Sequence, residues 1–165
     1  MLSLRVDATL RAAAQLQQVV AIAMLDLDGF KAVNDRYGHG VGDALLIELA
    51  HRLQLGVRGH DTVARWGGDE FVVVLTGLCK NEDSSATVQR LLADLQGPVD
   101  IGADVMASVG ASIGVAFFPA DGRDADALTK VADQRMFEAK RSGGNRIVST
   151  SDAGMKPYLQ VVAKN

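Results

Sequence analysis

The chain has 165 residues and a mass of 17.4 kDa, enough for one full domain and short for two. Hydrophobic residues make up 48% and charged residues 22%, which supplies a core and excludes wholesale disorder. Seventeen Lys and Arg against 20 Asp and Glu leave a net charge of −3. A broadly basic protein that coats nucleic acid is thereby excluded, because it needs surplus cations to displace counterions. A small phosphorylated ligand, met by a metal and one or two cations, remains open.

The longest unbroken apolar run, residues 19–25, falls far short of the roughly 18 residues of a membrane span. No membrane contact and no signal peptide are expected. The lone Cys79 cannot form an internal disulfide and suits a reducing cytoplasm, the expected location. One Cys and three scattered His (His39, His51, His60) lack the spacing of a zinc site.

Residues 3–17 are rich in helix formers, with the apolar positions Leu4, Leu10 and Ala14 read as lying on a helical period. Residues 19–27 read as a buried strand that ends abruptly in acid. A polar loop follows, then an amphipathic helix over 41–55 with Leu45, Leu49 and Leu53 stacked at intervals of four. Residues 61–66 and 69–76 are strand-like, and Gly67-Gly68 between them predicts a two-residue hairpin turn. A polar break at 81–85 precedes a helix over 86–96 that Gly97-Pro98 ends. Strands are expected over 99–101 and 104–118, around a turn at Gly102. A helix opening within 121–126 should run to about Arg141, closed by Ser142-Gly143-Gly144-Asn145, with a last strand over 146–149. This alternation predicts the α/β class, an α+β sandwich in which helices pack on one sheet. The domain is expected over residues 1–149, with 150–165 as a tail or linker.

The first chemically informative stretch is Asp26-Leu27-Asp28-Gly29-Phe30-Lys31, with Asn34 and Asp35 beyond. A carboxylate at the edge of a core costs several kcal/mol (about 3 or more) unless it is paired or binds a metal. Strand alternation places Asp26 and Asp28 on one face, at the carboxyl end where ligands gather in α/β sheets. Such oxygen ligands suit Mg²⁺ or Mn²⁺. For Asp28 a helix N-cap is the preferred reading, and for Asp26 the metal. The second stretch is Arg65-Trp66-Gly67-Gly68-Asp69-Glu70-Phe71. Alternation sends Asp69 and Glu70 to opposite faces, so that one could hold metal while the other orients a proton-bearing group. A solvated hairpin tip is the alternative.

Gly67-Gly68-Asp69-Glu70-Phe71 is similar to the signature of the GGDEF family of diguanylate cyclases. Asp26 to Asp35 resembles the family's DxDxFKxxND segment, and Gly38-His39 with Gly42-Asp43 its GHxxGD segment. Ser112-Ile113-Gly114 resembles its SIG strand, and Ala132-Asp133 with Ala139-Lys140 its late helix. The motifs run in order over residues 19–149.

The resemblance implies a central, mainly antiparallel sheet flanked by helices, like a nucleotidyl cyclase or polymerase palm. The implied activity is condensation of two GTP into cyclic di-GMP and pyrophosphate, with Mg²⁺ (or Mn²⁺) as cofactor. Asp26, Asp69 and the Leu27 carbonyl would hold metal, with Glu70 as an acid that assists deprotonation of a 3′-hydroxyl or shares metal coordination. Asn34 and Asp43 would bind guanine; Lys31, Lys140 and the amides around Phe30 would meet phosphates. Arg58-Gly59-His60-Asp61 resembles the family's RxxD inhibitory site, with Arg90 as a second arginine contacting cyclic di-GMP. A homodimer would be the working form, and sensor or other signalling domains the partners. Two departures stand out. Gly144 occupies the place of a phosphate-contacting arginine, and the family's DxLTGLxNR leading segment is expected to be missing. A module that binds GTP or cyclic di-GMP without turnover is the alternative function.

Overall fold

The computed structural model describes residues 2–102 and 105–149. Helix α1 (Leu2–Leu16) leads into strand β1 (Val19–Asp28), followed by helices α2 (Phe30–Tyr37) and α3 (His39–Leu55). Next come the hairpin of β2 (Thr62–Gly67) and β3 (Glu70–Leu78), a 3-10 turn (Asn81–Ser84) and α4 (Ser85–Gln96). A small ribbon of β4 (Val99–Asp100) and β5 (Met106–Ala107) precedes β6 (Gly110–Phe118), α5 (Ala125–Arg141) and β7 (Arg146–Ser149). The expected tail, residues 150–165, lies outside the described residues.

Five strands make one sheet in the order β2-β3-β1-β6-β7. β1 is antiparallel to both β3 and β6, and β7 joins β6 in parallel. The mainly antiparallel, helix-flanked sheet expected above is therefore the architecture. β1 is central because it is apolar on both faces, and its alternate residues serve two cores. Ala21, Ala23, Leu25 and Leu27 join Leu45, Leu49 and Leu53 of α3 and Leu91 and Leu95 of α4. Val20, Ile22 and Met24 join Val6 and Leu10 of α1 and Leu128, Ala132 and Met136 of α5. Each fully buried leucine contributes about 2 kcal/mol. Asp26 and Asp28 continue the second face, so both lie on the side of α5.

Several expectations shift. In α1 the buried stripe is Val6, Leu10 and Ala13, whereas Leu4 is 74% exposed and Ala14 faces solvent. The spacing of six from Leu4 to Leu10 turns about 240° around a helix, so those two cannot share a face. The polar loop after β1 is helix α2, whose Phe30 and Val33 are buried and whose flanking glycines, Gly29 and Gly38, take φ of +85° and +86°. Eight residues are too few to display a helical period. The hairpin turn is Gly68-Asp69, one place later than expected, because Gly67 pairs with Glu70 and only Gly68 takes a positive φ, +46°. The strand expected over 104–118 is two pieces, β5 in the ribbon and β6 in the main sheet.

Helix α5 starts at Ala125 with Asp124 as N-cap, its carboxylate accepting from the Ala127 amide at 2.8 Å. Asp7 of α1 accepts from the Ala125 amide at 3.0 Å. Asp121, expected at the helix opening, instead accepts from both Nη atoms of Arg135 at 2.7 Å, a bidentate pair that fastens the β6–α5 connection to α5. α5 lies unusually close to the sheet at Gly114, where a Cβ would sit 2.0 Å from the Ala132 carbonyl oxygen and 2.2 Å from the Met136 nitrogen. Backbone on both sides leaves nothing to move aside. Gly114→Ala is therefore expected to lower unfolding stability by about 3 kcal/mol, or to displace α5, read by urea denaturation.

Candidate functional site

Three carboxylates converge where β1 ends. Asp26 is 6% exposed, and its cross-strand neighbours are Glu70 on β3 and Ser112 on β6. Glu70 falls on the α5 side with Asp26 because the two are directly paired. Asp69 is brought in through the backbone: the Leu27 amide donates to the Asp69 carbonyl at 3.2 Å. From α5, the Lys140 ammonium reaches the Asp26 carboxylate at 2.6 Å.

The electrostatics follow from this crowding. Burial pushes the Asp26 carboxyl above the ordinary aspartate range; Lys140 opposes the shift, and the charges of Asp69 and Asp28 add to it. Glu70 is also raised, by desolvation first and then by the charges of Asp26 and Asp133, with Lys140 opposing. A glutamate carboxylate shifted in this direction holds a proton more strongly than an ordinary one.

Among the described residues no three His, Cys, Asp or Glu side chains form a metal-holding group on their own. The donor set that could hold a hard cation is the carboxylates of Asp26 and Asp69 with the Leu27 carbonyl. Those acids repel one another, which a divalent cation would relieve, and the remaining positions would fall to ligand oxygens. The set fits Mg²⁺ or Mn²⁺, in competition with Lys140 for Asp26.

Asp28 corrects an expectation. Gly29 is the N-cap residue of α2 and no side chain caps that helix. The Asp28 carboxylate instead accepts from Ser112 Oγ at 2.9 and 3.0 Å and from the Asn145 amide at 2.7 Å. Asp69 also departs from the strand alternation applied to it, because it sits in the turn. Ser112 and Asn145 thus join the cluster, although no local sequence pattern marks them as site residues. The nearest to a signal, for the first, is a serine inside the apolar run GASIGVAFF, fully buried.

Across the sheet, α2 and α3 pack so tightly that a Cβ on Gly42 would lie 1.8 Å from Asn34 Oδ1. That oxygen is buried and lacks a hydrogen-bond partner, while Asp43, next to Gly42, is exposed. A groove of about 550 Å³ opens beside Asp43, lined by Leu46, Ala50, Val63 and Phe71 among others. Lys31 is exposed on α2, whose first turn contributes the amides around Phe30.

The Arg58–Asp61 segment lies apart, at the start of β2. Asp61 accepts from the Arg58 amide at 2.9 Å and from the Thr76 amide at 2.9 Å, so its carboxylate orients the loop backbone rather than the guanidinium. Arg58 is exposed, and Arg90 donates to the Gly56 carbonyl at 2.6 Å.

This fold and this strand-end cluster define a nucleotidyl-cyclase-like domain, and the comparisons place it more closely. The family model "Diguanylate cyclase, GGDEF domain" matches residues 1–146, and the chain belongs to the GGDEF family. It is 39% identical over 161 residues to the bifunctional diguanylate cyclase/cyclic di-GMP phosphodiesterase MucR of Pseudomonas aeruginosa, covering 96% of this chain and 23% of MucR. The GGDEF domain of Pseudomonas aeruginosa TpbB has the same fold, with a TM-score of 0.87, 32% identity and coverage of 93% and 94%. A microbial GGDEF domain described in its interaction with cyclic di-GMP gives a TM-score of 0.74 at 30% identity, covering 87% and 85%. The chain spans 23% of MucR and 34% of the diguanylate cyclase TpbB. No described helix is long and apolar enough to cross a membrane.

Because Glu70 binds its proton more tightly folded than unfolded, its contribution to stability is full below the unfolded pKa and is lost as pH rises through the folded one. Glu70→Gln is expected to melt higher than the parent at pH 7. The gain should shrink as pH falls toward the ordinary glutamate range, as followed by thermal unfolding across that window.

Proposed function

We propose that this domain is a diguanylate cyclase, condensing two GTP molecules into cyclic di-GMP and releasing pyrophosphate. The observation that carries the reading is the meeting of Asp26, Glu70 and Lys140 at the end of β1, with Lys140 Nζ 2.6 Å from Asp26. Asp26, Asp69 and the Leu27 carbonyl would hold Mg²⁺ or Mn²⁺. When bound, such ions polarise the α-phosphate and stabilise charge on the entering and leaving oxygens.

The chain's own groups supply the rest. Glu70 takes the proton of the attacking 3′-hydroxyl, a role its raised pKa suits. Asn34 Oδ1, buried and unpartnered, and the Asp43 carboxylate accept from the N1 and N2 hydrogens of guanine. Adenine lacks the N2 amine and presents an acceptor at N1, so it would leave both oxygens unpaired. The groove beside Asp43 has room for part of the nucleoside. Lys31, Lys140 and the α2 amides around Phe30 neutralise the phosphates. The 3′-oxygen of one GTP attacks the α-phosphorus of the other and pyrophosphate departs, so two domains must face each other as a twofold homodimer. Arg58, Asp61 and Arg90 form the product-binding inhibitory site, with the Asp61 bonds setting the loop that presents Arg58. Sensor or other signalling domains of a longer protein would bring the two domains together.

The second reading, a GGDEF module that binds nucleotide without turnover, is favoured by Gly144, which offers no side chain where the family pattern has an arginine. Incubation at high protein concentration with GTP and Mg²⁺ separates the two. Cyclic di-GMP and pyrophosphate should accumulate, and Asp69→Ala should cut turnover by about 10²–10³-fold or more. GTP binding without product would establish the second reading. Arg58→Ala is expected to leave initial turnover intact and to weaken inhibition by added cyclic di-GMP at least about tenfold; an unchanged inhibition constant refutes the RxxD assignment.

A further inference from the structure

We propose that Asp28 is a positioning residue: it anchors the turn after α5, so that Lys140 can leave Asp26 for a substrate phosphate without the end of α5 moving. The substrate half of this proposal rests on the cyclase reading; the anchor does not.

The turn begins at Lys140 itself. Its carbonyl accepts from the Gly143 amide at 3.1 Å, and the Gly144 amide donates to the Ala139 carbonyl at 3.0 Å. Gly143, Gly144 and Asn145 then take φ of +110°, +68° and +52°, which reverses the chain toward β7. Three groups fix the far side of this turn. The Asn145 amide donates to Asp28 Oδ2 at 2.7 Å; its side-chain oxygen accepts from Gln96 Nε2 at 2.9 Å and from the Ala111 amide at 3.4 Å. Ser112, 0% exposed, donates to the same Asp28 carboxylate and holds it toward the turn.

Gly144 completes the fit. A Cβ there would stand 2.9 Å from Asp28 Oδ2, inside any real contact distance, on a backbone that already disfavours L side chains. Gly144 thus lies directly against the Asp28 carboxylate.

The two aspartates of β1 divide the work. Asp26 holds the tip of a lysine side chain that is 39% exposed and can rotate toward an incoming phosphate. Asp28 holds main chain five residues further on, through donors that have no reason to exchange. Without Asp28 the turn would follow Lys140 whenever that pair opened, and the ammonium would be delivered less accurately to the phosphates.

The test compares the parent with Asp28→Ala, Asp28→Asn and Ser112→Ala. Hydrogen exchange of the Asn145 amide, without nucleotide, should accelerate at least about tenfold in Asp28→Ala, while Asp28→Asn keeps an acceptor and much of the protection. KM and the dissociation constant for GTP should rise about tenfold in Asp28→Ala, with KM rising more than kcat falls, and Asp28→Asn should recover most of the loss. Unchanged Asn145 exchange overturns the anchor. A fall in kcat at constant KM overturns positioning in favour of a direct chemical role, and a loss that tracks the melting temperature in every variant overturns it in favour of plain stability. If Asp28→Ala does not fold, the Asp28→Asn and Ser112→Ala pair decides on the same readouts. A parent that binds GTP without making cyclic di-GMP sinks the cyclase reading alone, since exchange and the dissociation constant still judge Asp28. A parent with no GTP affinity overturns the substrate half of the proposal as well.

Discussion

Helix α5 lies where Lys140 can meet Asp26 because β6 presents no side chain at Gly114. The Ala132 carbonyl and the Met136 nitrogen come within about 2 Å of where a Cβ would be, so helix and strand are packed backbone to backbone at that point. Everything C-terminal to it on α5 inherits the height and angle set there. Arg135 reinforces the same contact by donating to the Val115 carbonyl at 2.6 Å while gripping Asp121. One and a half turns further on, the lysine is level with the end of β1.

That placement accounts for an arrangement that folding alone would not favour. Asp26 is nearly buried beside two other aspartates, and its paired lysine only partly offsets the desolvation that raises its pKa. Glu70, directly across the strand pair, is raised for the same reasons. An aliphatic residue at Asp26 would extend the Val20–Ile22–Met24 stripe of β1, and one at Glu70 the Val72–Val74 stripe of β3. Acids at the end of an otherwise apolar face suit the proposed site, where a cation bound with the nucleotide would supply the counter-charge.

The sequence showed the elements whose signal is either periodic or abrupt. The β1 run, the Leu45-Leu49-Leu53 stripe and the glycine-closed end of α5 stand where their patterns placed them. What it concealed were features that depend on contacts between distant segments. Helix α2 is too short for its period to register, and its ends are set by glycines that read equally well as loop. The turn of the hairpin slid by one residue because the bulge between Arg65 and Gly67 changes the register, and glycines alone do not reveal a bulge. Asp28 looked like a cap because caps are local; its actual partners are 84 and 117 residues away. Among the proposed site residues, those flanking the strand end were legible as a group. That Asp61 spends its carboxylate on backbone amides was not.

In the proposed cyclase the two faces of β1 would carry different tasks. On the odd-numbered face Leu25 and Leu27 belong to the core on which α2 and α3 pack, and those helices bring Asn34 next to Gly42 and Asp43. On the even-numbered face Asp26 and Asp28 meet α5 and the turn that follows it. A nucleotide held by both would have its base read through one core and its phosphates held through the other, with a single ten-residue strand as the rigid member between them. A shift of register in β1 by one residue would exchange the faces and disable both tasks together. Central position, with partners on either side to lock the register, is what protects that strand from slipping.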